Sequence, residues 1–254
     1  MSEIYKEGLV SVITPIYNSA DYLAETIKSV KKQTYANWEL ILIDDCSTDD
    51  SLVIALSYSE SDPRIKVLQK AVNSGMAEAI NGGCREAQGQ YIAFLDSDDI
   101  WLPQKLERQV QFMQDKDCAI SCTSYVQINV DGSKEGRLFK ALEKADYRRV
   151  LLDCPVGHST VMYDVKKLGK QKVPNIRKRS DDALWLQILK HEPYIWGLRE
   201  TLVKYRIRGK SLSANKFTLV KYHWKLYRKI EHMNVLSSVF HIAYWGFIKV
   251  FGIK

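Results

Sequence analysis

From Leu9 to about Gln127, short β-branched runs alternate with amphipathic helical patterns, an order that few folds other than a parallel sheet with crossover helices accommodate. The runs are Leu9–Thr14, Glu39–Asp44, Ile65–Gln69 and Tyr91–Leu95. Between the first two, Leu23, Ile27 and Val30 recur at i, i+4 and i+7, which puts one apolar face on a helix. Gly75–Ala87 repeats the pattern with Met76, Ala79, Ile80 and Gly83, and Gly89 is placed to stop that helix before the next strand. Pro103 sits where a helix over Gln104–Gln114 begins, where its missing N–H costs nothing. This pattern is that of a doubly wound half.

Beyond Asn129 the regularity fades. Val130-Asp131-Gly132-Ser133 reads as a hairpin turn, Ser159–Tyr163 as a strand, Asp182–Lys190 as a helix, and Tyr194–Leu198 and Thr201–Tyr205 as two short strands. A helical tail follows, with Lys221, Lys225, Arg228, Lys229 and His232 on one face and Leu219, Leu226 and Ile230 on another. No repeat, low-complexity tract or linker separates residues 1–129, 130–213 and 214–254, so one continuous globule is expected.

With 254 residues, 46% of them apolar and 26% charged, the chain has material for a sizeable core, which excludes disorder and fibrous repeats. The net charge of +7 hides a dipole: residues 1–133 carry −9 and residues 134–254 carry +16. An acidic first half suits a cation; a basic second half suits phosphates or an anionic membrane surface. Nucleic acid is not expected, because no binding motif accompanies the charge. Five scattered cysteines form no disulfide scaffold and fit a reducing, cytoplasmic setting. Cys118 and Cys122 lack the second cysteine pair or histidine that a zinc site needs. The charged N-terminus does not read as a signal peptide. The longest uncharged stretch, Met233 to Ile248, is 16 residues, short of the roughly 20 that cross a bilayer.

In an open parallel sheet, ligands bind beyond the carboxyl ends of the strands. Those positions hold Pro15-Ile16-Tyr17-Asn18 after the first strand, Asp44-Asp45-Cys46 after the second and Asp96-Ser97-Asp98-Asp99 after the fourth. Neither G-x-G-x-x-G nor G-x-x-x-x-G-K-[ST] occurs, so a phosphate must be held another way. Asp96 and Asp98 offer hard oxygen ligands that suit Mg²⁺ or Mn²⁺ shared with a diphosphate, or they cap a helix and shape a turn. Asp44 and Asp45 accept from a ribose hydroxyl or base N–H, or form an Asx-turn or cap.

Taken together, Val10-Ser-Val-Ile-Thr-Pro-Ile-Tyr-Asn18, Ile43-Asp-Asp-Cys-Ser-Thr-Asp49, Asn73-Ser-Gly75 and Gly89-Gln-Tyr-Ile-Ala-Phe-Leu-Asp-Ser-Asp-Asp-Ile-Trp-Leu-Pro103 resemble the ordered signatures of family-two glycosyltransferases of bacterial surface-polysaccharide type. Ser180-Asp181-Asp182-Ala-Leu-Trp185 resembles the family's acidic catalytic motif, and Val203-Lys-Tyr-Arg-Ile-Arg208 with Ser211-Leu-Ser213 its late strand and loop. The resemblance implies a GT-A fold: an α/β, mostly parallel Rossmann-like nucleotide-binding sheet over residues 1–129, fused to a smaller mixed acceptor-binding half over 130–213, with a helical tail over 214–254. It implies an inverting, metal-dependent transfer of a sugar from a nucleotide diphosphate donor, a UDP-sugar, to a glycan or lipid-linked saccharide. The alternatives from other classes are a sugar nucleotidyltransferase and a catalytically silent partner subunit.

By position, the resemblance assigns the nucleotide to Pro15, Tyr17, Asn18, Asp45, Asn73, Asp96 and Ser97, with Tyr17 stacking on the base. Asp98, with Asp96, becomes the ligand of Mn²⁺ or Mg²⁺. Asp181 becomes the general base and Asp182 its alternative; Asp181 also reads as the N-cap of the following helix. Two departures stand out, Cys46 where the family carries glycine and Ile80 where it carries arginine before Asn81. His158 is expected on the acceptor side or as a surface or satisfied histidine, Trp185 on the acceptor side, and Arg206 and Arg208 to bracket a diphosphate or face solvent. The tail interleaves Tyr222, Trp224 and Tyr227 with cations and continues with Phe240, Tyr244, Trp245, Phe247 and Phe251. That composition suits a lipid headgroup boundary, hence a peripheral position on the inner face of the cell membrane, or a helix packed on the acceptor half.

Overall fold

A computed structural model of the protein describes residues 5–208 and 216–251. The expected loop at Ser211–Ser213, the boundary at 213/214 and the last residues of the tail lie outside the described residues. The first half runs β1 (Lys6–Ile16), α1 (Ala20–Lys31), β2 (Trp38–Asp44), α2 (Ser51–Ser61), β3 (Ile65–Gln69), α3 (Met76–Glu86), β4 (Gly89–Phe94), β5 (Ile100–Trp101) and α4 (Lys105–Asp115). Then follow β6 (Ile120–Ile128), β7 (Glu135–Phe139), β8 (Lys144–Ala145), α5 (Tyr147–Leu152), β9 (Met162–Asp164), α6 (Val165–Leu168), α7 (Ser180–Ile188) and β10 (Ile195–Arg206). The tail is α8 (Lys216–Lys225), one π-helical turn over Leu226–Ile230, and α9 (Val235–Phe251).

One sheet passes through both halves in the order β3-β2-β1-β4-β9-β6-β10-β5, with β7 on β6 and β8 on β10. β1, β2, β3 and β4 pair in parallel, as do β6 and β10, while β9 is an antiparallel wedge between β4 and β6. Every residue of β2 and of β4 is buried, as befits strands covered on both faces. Alternation sorts the core: Ile13, Ile41, Ile43, Ile92 and Phe94 face α3, α7 and the tail, whereas Val10, Val12, Leu40, Leu42 and Ala93 face α1 and α4. α3 lies close on the sheet at Gly83, where an added Cβ would come within 2.7 Å of Ile43 Cδ1.

Three local expectations are revised. The runs at 194–198 and 201–205 are one strand, β10, whose register slips between Leu198 and Val203. Such bulges bend a strand without ending it, and here exposed Glu200 turns outward to pair with Arg108. The expected strand at Ser159–Tyr163 begins instead as a 3₁₀ turn over His158–Thr160, closed by Thr160 N–H and Oγ1 donating to Gly157 O. α7 begins at Ser180, two residues earlier than its apolar pattern suggests.

Candidate active site

The loops after β1, β2 and β4 are tied to one another. Asn18, in a left-handed conformation (φ 48°), accepts from Thr48 N–H at 2.9 Å, and its own N–H donates to Ser47 Oγ. Ser19 and Ser97 hydroxyls meet at 2.7 Å, linking the β1 and β4 loops. Pro15 is half-buried below them, and Tyr17 is left 50% exposed at the rim.

Asp44 accepts from the N–H of Ser47, three residues on, at 3.2 Å, which shapes the turn after β2. Buried Asp45 crosses to the loop before α3, accepting from Ser74 N–H (2.9 Å) and Oγ (2.8 Å) through Oδ1, and from Gly75 N–H (2.7 Å) through Oδ2. A carboxylate offers about four lone-pair sites, so one remains for a ligand. Exposed Asn73 borders the same loop. Cys46, the departure from the family's glycine, has φ 64°, a conformation in which glycine is unstrained. Gly75 has φ 86° and ψ 160°, which L side chains avoid even though a Cβ there would meet nothing within 4 Å. Gly75→Ala is therefore expected to lower unfolding free energy by about 1–3 kcal/mol, read from urea denaturation midpoints; an unmoved midpoint would mean the loop relaxes freely.

After β4 the three aspartates take different roles. Asp96, partly exposed, meets His158 Nδ1 at 2.8 Å through Oδ1, and its N–H donates to Ser159 Oγ. Asp98 pairs with Arg208 Nε at 2.6 Å. Asp99 is wholly buried, accepting from Ser159 Oγ (2.6 Å) and Arg206 N–H (2.9 Å). Burial and the neighbouring Asp96 push the Asp98 carboxyl up to about 6, and burial with both neighbours pushes Asp99 well above the usual carboxylate range. Burial and the neighbouring carboxylate thus outweigh Arg208 at Asp98. Hard oxygen donors so crowded fit Mg²⁺ or Mn²⁺ at Asp98 and Asp96. Among the described residues no three His, Cys, Asp or Glu side chains are grouped to hold a cation unaided. Its remaining ligands would come from phosphate and water.

The second half meets this loop through His158–Thr160. His158 is buried, stacked on Phe94 with centroids 5.0 Å apart. Burial pulls its pKa down, but the Asp96 carboxylate and, more weakly, Asp181 outweigh that and raise it. His158 is thus a buried histidine whose ring nitrogen is satisfied by Asp96. Asp181 occupies the first turn of α7, half-buried; Arg179, in the left-handed region (φ 67°), precedes the helix, so Asp181 is not its cap. Asp182 turns inward to Arg179 Nε at 2.7 Å. Burial pushes its carboxyl up to about 6 despite that guanidinium.

Two expected ligand-binding side chains are placed elsewhere. Trp185 is wholly buried, 5.8 Å from Phe94, because the inward face of α7 carries it into the core. Arg206 is also buried, its guanidinium consumed by Glu25 Oε2 (2.5 Å), Asp98 O (2.9 Å) and Val130 O (2.6 Å). It staples α1, the acidic loop and the hairpin together. Arg208 remains at the acidic loop. Sequence reasoning missed Ser159, Arg179 and Asn81, whose side chain exchanges hydrogen bonds of 3.0 and 2.8 Å with the Val173 backbone and ties α3 to the second half. Arg179, next to the acidic pair, carried the one readable signal, a cation beside two carboxylates.

The fold is similar to that of Staphylococcus aureus TarS residues 1–349, solved in complex with UDP-GlcNAc: TM-score 0.69 at 21% identity, covering 93% of this chain and 71% of that one. It is the GT-A fold of glycosyltransferases. Residues 11–171 match the description "Glycosyl transferase family 2". The chain is 42% identical over 241 residues to the putative teichuronic acid biosynthesis glycosyltransferase TuaG of Bacillus subtilis, covering 95% of this chain and 94% of that one. It is 38% identical over 236 residues to the UDP-Glc:alpha-D-GlcNAc-diphosphoundecaprenol beta-1,3-glucosyltransferase WfgD of Escherichia coli, covering 92% and 90%. The protein belongs to glycosyl transferase family 2 and is a glycosyltransferase.

Proposed function

We propose that this glycosyltransferase moves a sugar, with inversion, from a UDP-sugar to a lipid-linked saccharide in bacterial cell-surface polysaccharide synthesis. The observation that carries the reading is the acidic loop at the carboxyl end of β4, where His158 bonds Asp96 at 2.8 Å and Asp98 lies beside it. The donor and acceptor classes are supported by the 38% identical relative, whose name specifies UDP-Glc and a diphosphoundecaprenol-linked GlcNAc.

Tyr17 stacks on the base, while the last lone pair of Asp45 and the Asn73 amide take polar groups of the nucleoside. Asp98 and Asp96 hold Mn²⁺ or Mg²⁺, which when bound offsets the charge gathering on the leaving diphosphate. A sugar hydroxyl is a weak nucleophile at neutral pH, so Asp181 accepts its proton as its oxygen attacks the anomeric carbon. The bond from that carbon to the diphosphate oxygen breaks as the new glycosidic bond forms on the opposite face. Asp182, paired with Arg179, is the alternative base. Calorimetric titration with UDP, with Mn²⁺ and after chelation, tests the reading: metal-dependent binding is expected, and no binding in either condition would sink it.

The tail supports a peripheral place on the inner, cytoplasmic face of the membrane. Among the described residues no helix is long and apolar enough to cross a bilayer. Yet α9 exposes Leu236 (84%), Val239 (53%) and Phe240 (60%) on one side while Ser238, Trp245 and Ile248 are buried on the other. Beyond Glu200 the chain has one acidic residue, Glu231, among many cations. An apolar stripe in a basic surround suits an anionic headgroup boundary. The double variant Leu236→Glu/Phe240→Glu is expected to abolish sedimentation with anionic vesicles while keeping UDP affinity; undiminished sedimentation would reject α9 as the contact.

A further inference from the structure

Two adjoining cavities of about 360 Å³ each flank the segment that leads into α7. Asn175 and Arg177 line both, so the two form one groove. Its upper end meets Asn73, Ser74 and Gly75, the loop that Asp45 holds on the nucleotide side. Its lower end is walled by Tyr222, Lys225 and Lys229 of the tail.

The charge in this groove is not balanced by the protein. Among the described residues Arg177, Lys225 and Lys229 make no ion pair, whereas nearby Arg179 and Lys190 are matched to Asp182 and Glu231. Lys225 stands 5.3 Å and Lys178 6.0 Å from the Tyr222 ring, which draws further positive charge to the same wall. The tail has no spare carboxylate to bring, since Glu231 is taken by Lys190 at 2.8 Å and by the Tyr147 hydroxyl. Cations gathered on a concave wall repel one another unless an anion joins them. The planar fork of an arginine beside two ammonium groups matches an anion with several oxygens and at least two charges.

Position narrows the class. The groove begins beside the loop before α3 and ends at Ile230, five residues before the exposed apolar face of α9 opens at Val235. An amphiphile with a polar head, a diphosphate and a hydrocarbon chain meets these three environments in order. We propose that the groove binds the diphosphate of the lipid-linked acceptor, between Arg177, Lys225 and Lys229, with its saccharide towards Asn175 and its chain towards α9. The proposal rests on the acceptor reading of the preceding section.

The test is binding of farnesyl diphosphate, measured by calorimetry in chelator so that no metal contributes, to the full chain and to Lys225→Gln/Lys229→Gln. The expected result is binding by the natural chain that the double variant weakens at least tenfold, with UDP affinity in Mn²⁺ changed less than twofold. Equal binding of farnesyl diphosphate by both proteins would overturn the proposal. So would a parallel loss of UDP affinity, which would assign the lysines to the donor side. Inorganic pyrophosphate separates the two sources of the anion: binding at least tenfold weaker than farnesyl diphosphate supports a lipid-linked ligand, and equal binding overturns that source. If UDP fails to bind while farnesyl diphosphate still depends on the lysines, the donor reading falls and the groove stands.

Discussion

Asp181→Asn is expected to leave UDP affinity unchanged and to lower turnover about 10²–10⁴-fold, the usual worth of a general base. The substitution keeps the size of the side chain and removes its ability to take a proton. The two adjacent carboxylates differ: Asp182 is buried against Arg179, whereas Asp181 is half-buried and makes no ion pair among the described residues. Because Asp181 is not the helix cap, its loss should not unwind α7. Steady-state transfer assays with the cognate donor and acceptor, beside UDP calorimetry, check both halves of the expectation. Near-normal turnover would move the base to Asp182 or beyond, and loss of UDP affinity would place Asp181 on the donor side.

Asp98→Ala should remove the metal-dependent part of UDP binding, a loss of at least tenfold in the presence of Mn²⁺. Its carboxylate is crowded by Asp96 and Asp99, so deletion relieves repulsion, and the Asp98 backbone carbonyl that Arg206 uses is retained. The fold should therefore survive, which the unfolding midpoint reports. Residual affinity should equal that of the natural protein after chelation. Unchanged affinity in Mn²⁺ would remove Asp98 as the ligand.

The sheet of the first half was legible because burial leaves a periodic trace. Leu23, Ile27 and Val30 are all fully buried on α1, and the four β-branched runs became β1 to β4. α2 left no such trace, since only Ser51 and Ala55 are buried along it. The second half was harder to read because its elements are short and held by side chains rather than by pattern: Ser159 spends its hydroxyl on Asp99, which a strand reading cannot foresee. At the site, chemistry marked the acidic residues, but it could not show which carboxylates the protein uses for itself. Asp99 and most of Asp45 belong to the scaffold, as does Arg206, and only packing across more than one hundred residues, as from Arg206 to Asp98 and Asp99, distinguishes an anchor from a ligand.

The bonds that cross from one half to the other constrain how such enzymes can be recombined. Exchanging residues 1–129 between relatives would part His158 from Asp96, Ser159 from Asp99, Val173 from Asn81 and Arg206 from Glu25, besides the pairing of β9 with β4. Residues 1–129 are therefore not a detachable module. A graft that hopes to carry them must bring the 158–160 turn and the end of β10 with them, or redesign both sides of each joint together.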